Sequence, residues 1–231
     1  MRYLHTRRAR FLSRPNRFVA QVEAEGEILT VHVKNTGRCK ELLTPGTEVI
    51  LVPGDNPARK TRYDLCTVYK PSLGWVNIDS QAPNTVVAEW LSHAPACFPP
   101  FCRVLPEYNY GASRMDFCLE GDTRTLLEVK GCTLERDGIG YFPDAPTQRG
   151  VRHLHELTAA VKQGWACALA FVIALPGVRI VRPNTATHPA FAQALEQAAR
   201  AGVRILFLPC HVTPEELTVL EAIEAPPPEE W

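Results

Sequence analysis

The sequence predicts an α+β chain in two parts. A small β-barrel is expected over residues 1–82 and a mixed-sheet αβ domain over 83–225, with a short disordered tail at 226–231. Three observations carry this. Short alternating runs with turn punctuation crowd the first third, one continuous apolar run lies in the second half, and helical spacings alternate with strands around it.

In the first part, Arg17–Ala24 alternates, Glu25-Gly26-Glu27 reads as a turn, and Ile28–Val33 returns. Glu48–Val52, Asp64–Tyr69 and Trp75–Asp79 are further strands, and Pro45-Gly46 marks a turn. Five short strands in about eighty residues suit a closed barrel, and an OB-like barrel is the commonest of that size. A small β-sandwich competes on the same pattern. The loop Asn35-Thr36-Gly37-Arg38-Cys39-Lys40 offers Arg38 and Lys40 to backbone phosphates, and Arg59-Lys60-Thr61-Arg62 is a second basic patch. Either would equally serve as a solvated loop.

In the second part, Asn84 can cap a helix from Thr85 to about His93. Arg103–Tyr108 is an expected strand, placed at an edge by Pro106. A helix runs to about Gln163 with Val151, Leu154, Thr158 and Val161 at helical spacing, and Trp165–Ala174 has the unbroken apolar run of a buried central strand. Val178–Val181 and Val203–Leu208 are strands and Pro189–Ala201 a helix. Thr213 with Pro214 predicts one more short helix.

The chemistry concentrates between Ser113 and Gly131, where two alternating runs flank Glu120-Gly121-Asp122-Thr123-Arg124 as a hairpin. Centring the turn on Asp122 sets Leu119 opposite Thr125, Phe117 opposite Leu127, Asp116 opposite Glu128 and Arg114 opposite Lys130. Asp116, Glu128 and Lys130 then share one face. Two carboxylates at cross-strand spacing repel, and a divalent cation removes the penalty. A hard cation such as Mg²⁺ (or Mn²⁺) prefers oxygen ligands and keeps several waters, with the Val129 carbonyl a further candidate ligand. Lys130 would orient the attacking water and stabilise charge on phosphorus, so the set suits phosphodiester hydrolysis. A plain structural ion pair of Glu128 with Lys130 or Arg114 would use the same residues. Arg149 and His153, four apart on the following helix, are candidate phosphate contacts, against the alternative of an exposed basic face. Glu107 and Glu89 are possible extensions of the acidic cluster, and Arg114 a possible accessory.

The chain has 231 residues and balanced charge, 25 Lys and Arg against 25 Asp and Glu, so no global field favours a polyanion. The distribution is less even, since Arg2, Arg7, Arg8, Arg10, Arg14 and Arg17 form a basic arm with no acid among them. The 8 cysteines show no CxxC pair and no zinc spacing. With no leader-like opening and no run long enough to span a bilayer, a reduced, cytoplasmic protein is expected.

The stretches NTGRCKELLTPG (35–46), the APN before the first helix, EYNYGASRMDF (107–117), LEVKGCTL (127–134) and YFPDAPTQRGVRHLHEL (141–157) resemble the bacterial sugar fermentation stimulation protein family over nearly the whole length. That resemblance implies an N-terminal OB-like domain joined to a domain of PD-(D/E)XK nuclease type. It also implies DNA binding without sequence preference and a regulatory role in maltose metabolism. Asp116, Glu128 and Lys130 fall on the nuclease-like motif and Arg38 on the barrel's NTGR loop. Gly131, where the family usually has serine or asparagine, and Cys39, in place of a larger apolar residue, depart from the pattern. The leading expectation is a Mg²⁺-dependent nuclease acting on DNA. A DNA-binding regulator without turnover is the alternative, and an enzyme for a small phosphorylated compound a weaker third.

Overall fold

In the computed structural model, which describes every residue except Thr36, Asp55 and Pro57, the first strand begins inside the basic arm. The barrel comprises β1 (Arg7–Asn16), β2 (Val19–Ala24), β3 (Glu27–Val33), β4 (Glu48–Pro53), β5 (Tyr63–Lys70) and β6 (Gly74–Asn77). Their order is β3-β2-β1-β4-β5-β6, and a parallel β3–β5 pairing, His32 with Asp64 and Val33 with Leu65, closes five of them on themselves. β6 extends the sheet beyond β5. The barrel is therefore OB-like rather than a sandwich.

The sequence predicts a basic arm where the structure has β1. Ala9 and Phe11 point into the core, Arg8 and Arg10 face outward with Arg8 on Glu48 at 2.6 Å, and Arg7, at the strand's start on the inward row, pairs with Glu25 at 2.7 Å. Arginines at the outward positions conceal a strand whose inward face carries only two apolar groups before its ladder with β2 becomes irregular.

The second part follows as α1 (Ala82–Leu91), β7 (Phe101–Tyr110), β8 (Ser113–Gly121), β9 (Thr125–Cys132), β10 (Leu134–Arg136), β11 (Ile139–Phe142) and α2 (Gln148–Lys162). Then come β12 (Ala166–Ile173), β13 (Val181–Pro183), α3 (Pro189–Arg200), β14 (Arg204–Val212), β15 (Leu217–Val219) and β16 (Ile223–Glu224). The main sheet runs β15-β14-β12-β9-β8-β7, with β12 parallel to both β9 and β14 and the β7–β8–β9 ladders antiparallel. Pro106 lies on β7 at the sheet edge, where a missing N–H costs no ladder bond.

β12 is apolar throughout because both its faces are covered. Leu169, Phe171 and Ile173 join the core containing Leu154, Leu157 and Phe191 of α2 and α3, while Ala168, Ala170 and Val172 join the core containing Val86, Val87 and Leu91 of α1.

Three local expectations are corrected. α1 starts at Ala82 after Gln81, with a proline in its first turn and no side-chain cap, so Asn84 lies inside the helix and is free for another use. The helix expected after Thr213 is absent. Thr213 Oγ1 accepts the N–H groups of Glu215 (3.2 Å) and Glu216 (2.9 Å), and the chain turns into β15. Residues 226–231, expected as a disordered tail, carry a 3₁₀ turn at Pro228–Glu230, and Trp231 packs partly buried against the core. Among the described residues no helix is long and apolar enough to cross a membrane.

Candidate active site

The β8–β9 ladder pairs Leu119 with Thr125, Cys118 with Leu126 and Phe117 with Leu127, the register read from the sequence. It stops one residue short of the carboxylates. Asp116 turns its side chain onto the neighbouring strand instead, its Oδ2 accepting the Val129 N–H at 2.8 Å and its Oδ1 accepting the Asn84 side-chain amide at 2.7 Å. The β9 backbone N–H is thus satisfied by a carboxylate rather than by a β8 carbonyl, and Asp116 and Glu128 do not form a ladder pair. Burial and the Glu128 charge push the Asp116 carboxyl above its ordinary value, which places the two acids within electrostatic reach of each other.

Glu128 is the buried member, its side chain only 2% exposed. One oxygen, Oε1, accepts both the Lys130 ammonium and the His153 Nδ1–H. The other, Oε2, is buried and, among the described residues, has no partner. Burial opposes ionisation of Glu128, but the His153 hydrogen bond and the Lys130 charge outweigh it and hold the carboxyl below its ordinary value.

α2 supplies His153. Thr147 caps the helix, its Oγ1 accepting the Gly150 N–H at 3.1 Å, and Gly150, His153, Leu154 and Leu157 form the inward face. Arg149 donates its Nε–H to His153 Nε2 at 3.3 Å, so that nitrogen is an acceptor and the ring proton sits on Nδ1, facing Glu128. His153, a candidate phosphate contact, is only 2% exposed and holds the Glu128 carboxylate. The four-residue spacing does bring Arg149 against His153, but His153 is buried toward β9 while Arg149 stays exposed.

The accessory candidates lie elsewhere. Arg114 pairs with Glu107 at 3.4 Å, both exposed, and Glu89 takes the N-terminal amine at 2.5 Å. Among the described residues no three His, Cys, Asp or Glu side chains converge as a ready-made metal cage. The centre is a two-carboxylate site with a lysine beside it.

In the barrel, the NTGR loop is laced by Arg14, whose guanidinium donates to the carbonyls of Asn35 (2.6 Å), Gly37 (3.0 Å), Arg38 (2.7 Å) and Arg17 (2.7 Å). Arg38 and Lys40 are exposed, while Thr36 of this loop lies outside the described residues. The loop rests on Asp144, whose carboxylate lies against Gly37 and whose Oδ2 is buried and, among the described residues, unpartnered. A Cβ at Gly37 would lie 1.9 Å from that oxygen, so only glycine permits the approach.

Two family models cover the chain, an N-terminal OB domain over residues 12–78 and the sugar fermentation stimulation protein RE domain over 81–216. The chain belongs to the sugar fermentation stimulation protein family. A homologue from Desulfitobacterium hafniense (strain Y51) is 47% identical over 218 residues, 94% of each chain. One from Ruminiclostridium cellulolyticum is 45% identical over 225 residues, covering 97% of this chain and 99% of that one. Among solved structures, that of Pyrococcus furiosus SfsA in complex with Ca²⁺ superposes with a TM-score of 0.81 at 28% identity, over 96% of both chains.

The boundary between the two family domains falls between β6 and α1, and the residues missed by sequence reasoning gather around it. Asn84 in the family's APN stretch orients Asp116, and Asp144 in its FPDA stretch seats the NTGR loop. Both lie in motifs quoted for the resemblance. Nothing local in the sequence says which distant partner each one meets.

Proposed function

We propose that the protein is a divalent-metal-dependent nuclease acting on DNA. The observation that carries this is Glu128, a buried carboxylate with one oxygen saturated by Lys130 and His153 and the other, Oε2, left without a partner among the described residues, beside Asp116. A buried acceptor with no donor is costly unless a ligand completes it. Two carboxylates suit Mg²⁺ or Mn²⁺, which bind through one or two protein acids together with water and substrate oxygens. The Ca²⁺ complex of the related Pyrococcus furiosus protein, also a hard divalent cation, supports that choice.

Glu128 Oε2 and Asp116 would hold the cation, which would polarise a phosphodiester oxygen and acidify water. The protein's own groups do the rest. Asn84 and the Val129 N–H fix the plane of the Asp116 carboxylate. His153 and Lys130 fix that of Glu128. Lys130, with its side chain 16% exposed, is the group able to reach from Glu128 to a phosphate and stabilise charge developing on phosphorus.

The test is incubation of the purified protein with single- and double-stranded DNA and with RNA, with Mg²⁺, with Mn²⁺ and with chelator. Metal-dependent cleavage that disappears in Lys130→Ala and in Glu128→Gln is the expected result. Retention of DNA with no cleavage under any metal would instead leave a DNA-binding regulator.

A further inference from the structure

A second site lies on the barrel. A wide cavity of about 510 Å³ opens between β3, the chain leading into β5, and the start of α1, with His32, Lys34, Arg59, Lys60, Thr61 and Gln81 among its walls. Among the described residues every side chain lining it carries a hydrogen-bond donor and none is a carboxylate.

The acids lie beneath the cavity and set its cations in place. Asp64, its side chain 3% exposed, receives Arg59 as a fork, Nη2 to Oδ1 at 2.5 Å and Nη1 to Oδ2 at 3.2 Å. It also binds His32 Nδ1 at 3.0 Å and Lys34 at 3.2 Å. Lys34 reaches Asp79 as well, at 3.7 Å. The chain before β5 is shaped to admit the guanidinium, since a Cβ on Gly54 would stand 2.4 Å from Arg59 Nη1. Lys60 is exposed and, among the described residues, makes no ion pair, and it adds a positive charge at the rim. Cations fixed on a buried acid lose little side-chain entropy when an anion arrives, and an oxygen-rich anion suits the donors that its described walls present.

The position of the cavity suggests which anion. Gln81 lines it as the residue before α1, and three residues along, about 4.5 Å of helix rise, Asn84 holds Asp116. The first turn of α1 thus joins the cavity to the carboxylate centre.

We propose that this cavity is a phosphate subsite that holds a backbone phosphate of the nucleic-acid strand at a distance from the phosphate being cleaved. The proposal rests on the nuclease reading for its choice of a strand over a free phosphate. A bound strand would run from the barrel across the start of α1 to Glu128. The subsite would bind through charge and hydrogen bonds to phosphate alone, without reading bases.

The full-length protein, with Ca²⁺ to hold the centre filled, is titrated with a labelled single-stranded oligonucleotide at several salt concentrations. Lys60→Gln and Arg59→Gln are compared with wild type, and inorganic pyrophosphate is tested as a competitor. Lys60 is exposed, so its variant folds even if Arg59→Gln loosens the loop. Each variant is expected to weaken oligonucleotide binding about five- to tenfold and to lower the salt slope by about one. Hydrolysis of bis(p-nitrophenyl) phosphate, which has one phosphate and reaches only the carboxylate centre, should be unchanged in Lys60→Gln. Unaltered oligonucleotide affinity and salt slope in Lys60→Gln would overturn the proposal. So would pyrophosphate binding at this cavity with no oligonucleotide binding, which would make it a site for free phosphates. If wild type hydrolyses neither substrate, the nuclease reading fails, and the oligonucleotide titration still decides the subsite.

Discussion

His153 and Glu128, 25 residues apart, are joined by a hydrogen bond buried at both ends, with Nδ1 of the ring donating to Oε1. Arg149 fixes the tautomer from the other side of the ring. The pair therefore determines which Glu128 oxygen remains for a cation. Groups that orient a metal ligand are commonly worth 10–100-fold in affinity. His153→Ala is expected to lower Mn²⁺ affinity by about that factor in a calorimetric titration. It should also destabilise the fold by about 1–3 kcal/mol, since the Glu128 oxygen loses a donor. His153→Asn, which keeps an N–H near the Nδ1 position, should recover part of the affinity. Equal Mn²⁺ affinity in wild type and His153→Ala would show that the ring does not position the carboxylate.

Gly37 and Asp144 define the contact between the barrel loop and the second domain. Gly37→Ala puts a methyl group 1.9 Å from Asp144 Oδ2, so the loop must shift. A loss of about 1–3 kcal/mol is expected, the usual range for overpacking. The closest clash is with Asp144, and a lesser one, 2.8 Å, is with Asn35 Oδ1, so Asp144→Ala should relieve most of the loss but not all of it. Urea unfolding of the two single variants and the double variant should give a sum clearly larger than the double. Strict additivity would mean that the loop does not rest on Asp144.

The parts legible in the sequence are those written locally. The hairpin register followed from turn residues and alternation, and three ladder pairs match it. The buried central strand followed from an apolar run whose two faces are now seen in two cores. β1 was hidden because its arginines resemble a solvated arm until Glu25 and Glu48 are seen opposite them. Helical spacing put Arg149 beside His153 but could not say that His153 is buried against Glu128 while Arg149 stays exposed. The Asn84–Asp116 bond links positions 32 apart, and the end of the ladder at Phe117 depends on it and on the Val129 N–H. Periodicity carries no information about such contacts.

The thiols offer a check on the packing. Burial pushes Cys39, Cys132, Cys167 and Cys210 up to about 12, where almost no thiolate exists at neutral pH. Cys102 is exposed and Cys97 partly so. Native protein treated with a maleimide should label Cys102 first and Cys97 more slowly, and peptide mapping should find the other six modified only after unfolding. Rapid native labelling of Cys167 or Cys210 would contradict the central position of β12 and β14.

Acid stability should depend on Asp64. Burial opposes its ionisation, but hydrogen bonds from Arg59 and His32 and the Lys34 charge outweigh it and hold the carboxyl below its ordinary value. A carboxyl depressed in the folded state stabilises fully above its unfolded value, about 3.9, and loses that contribution as pH falls through the lower folded value. Asp116 and Asp144, raised chiefly by burial, act in the opposite sense. Their penalty is present above their folded values and lifts as pH falls from there toward the unfolded value. Asp64→Asn isolates the first effect. At pH 7 it should destabilise by on the order of 3 kcal/mol, because Arg59 and Lys34 keep their charge over a neutral floor. The gap to wild type should begin to narrow as pH falls below about 3.9, where the unfolded chain protonates this side chain, and close once pH has passed the lower folded value. Urea midpoints measured from pH 7 to 2.5 would show the two curves converging. Parallel curves over that range would mean that the cations are not anchored by Asp64.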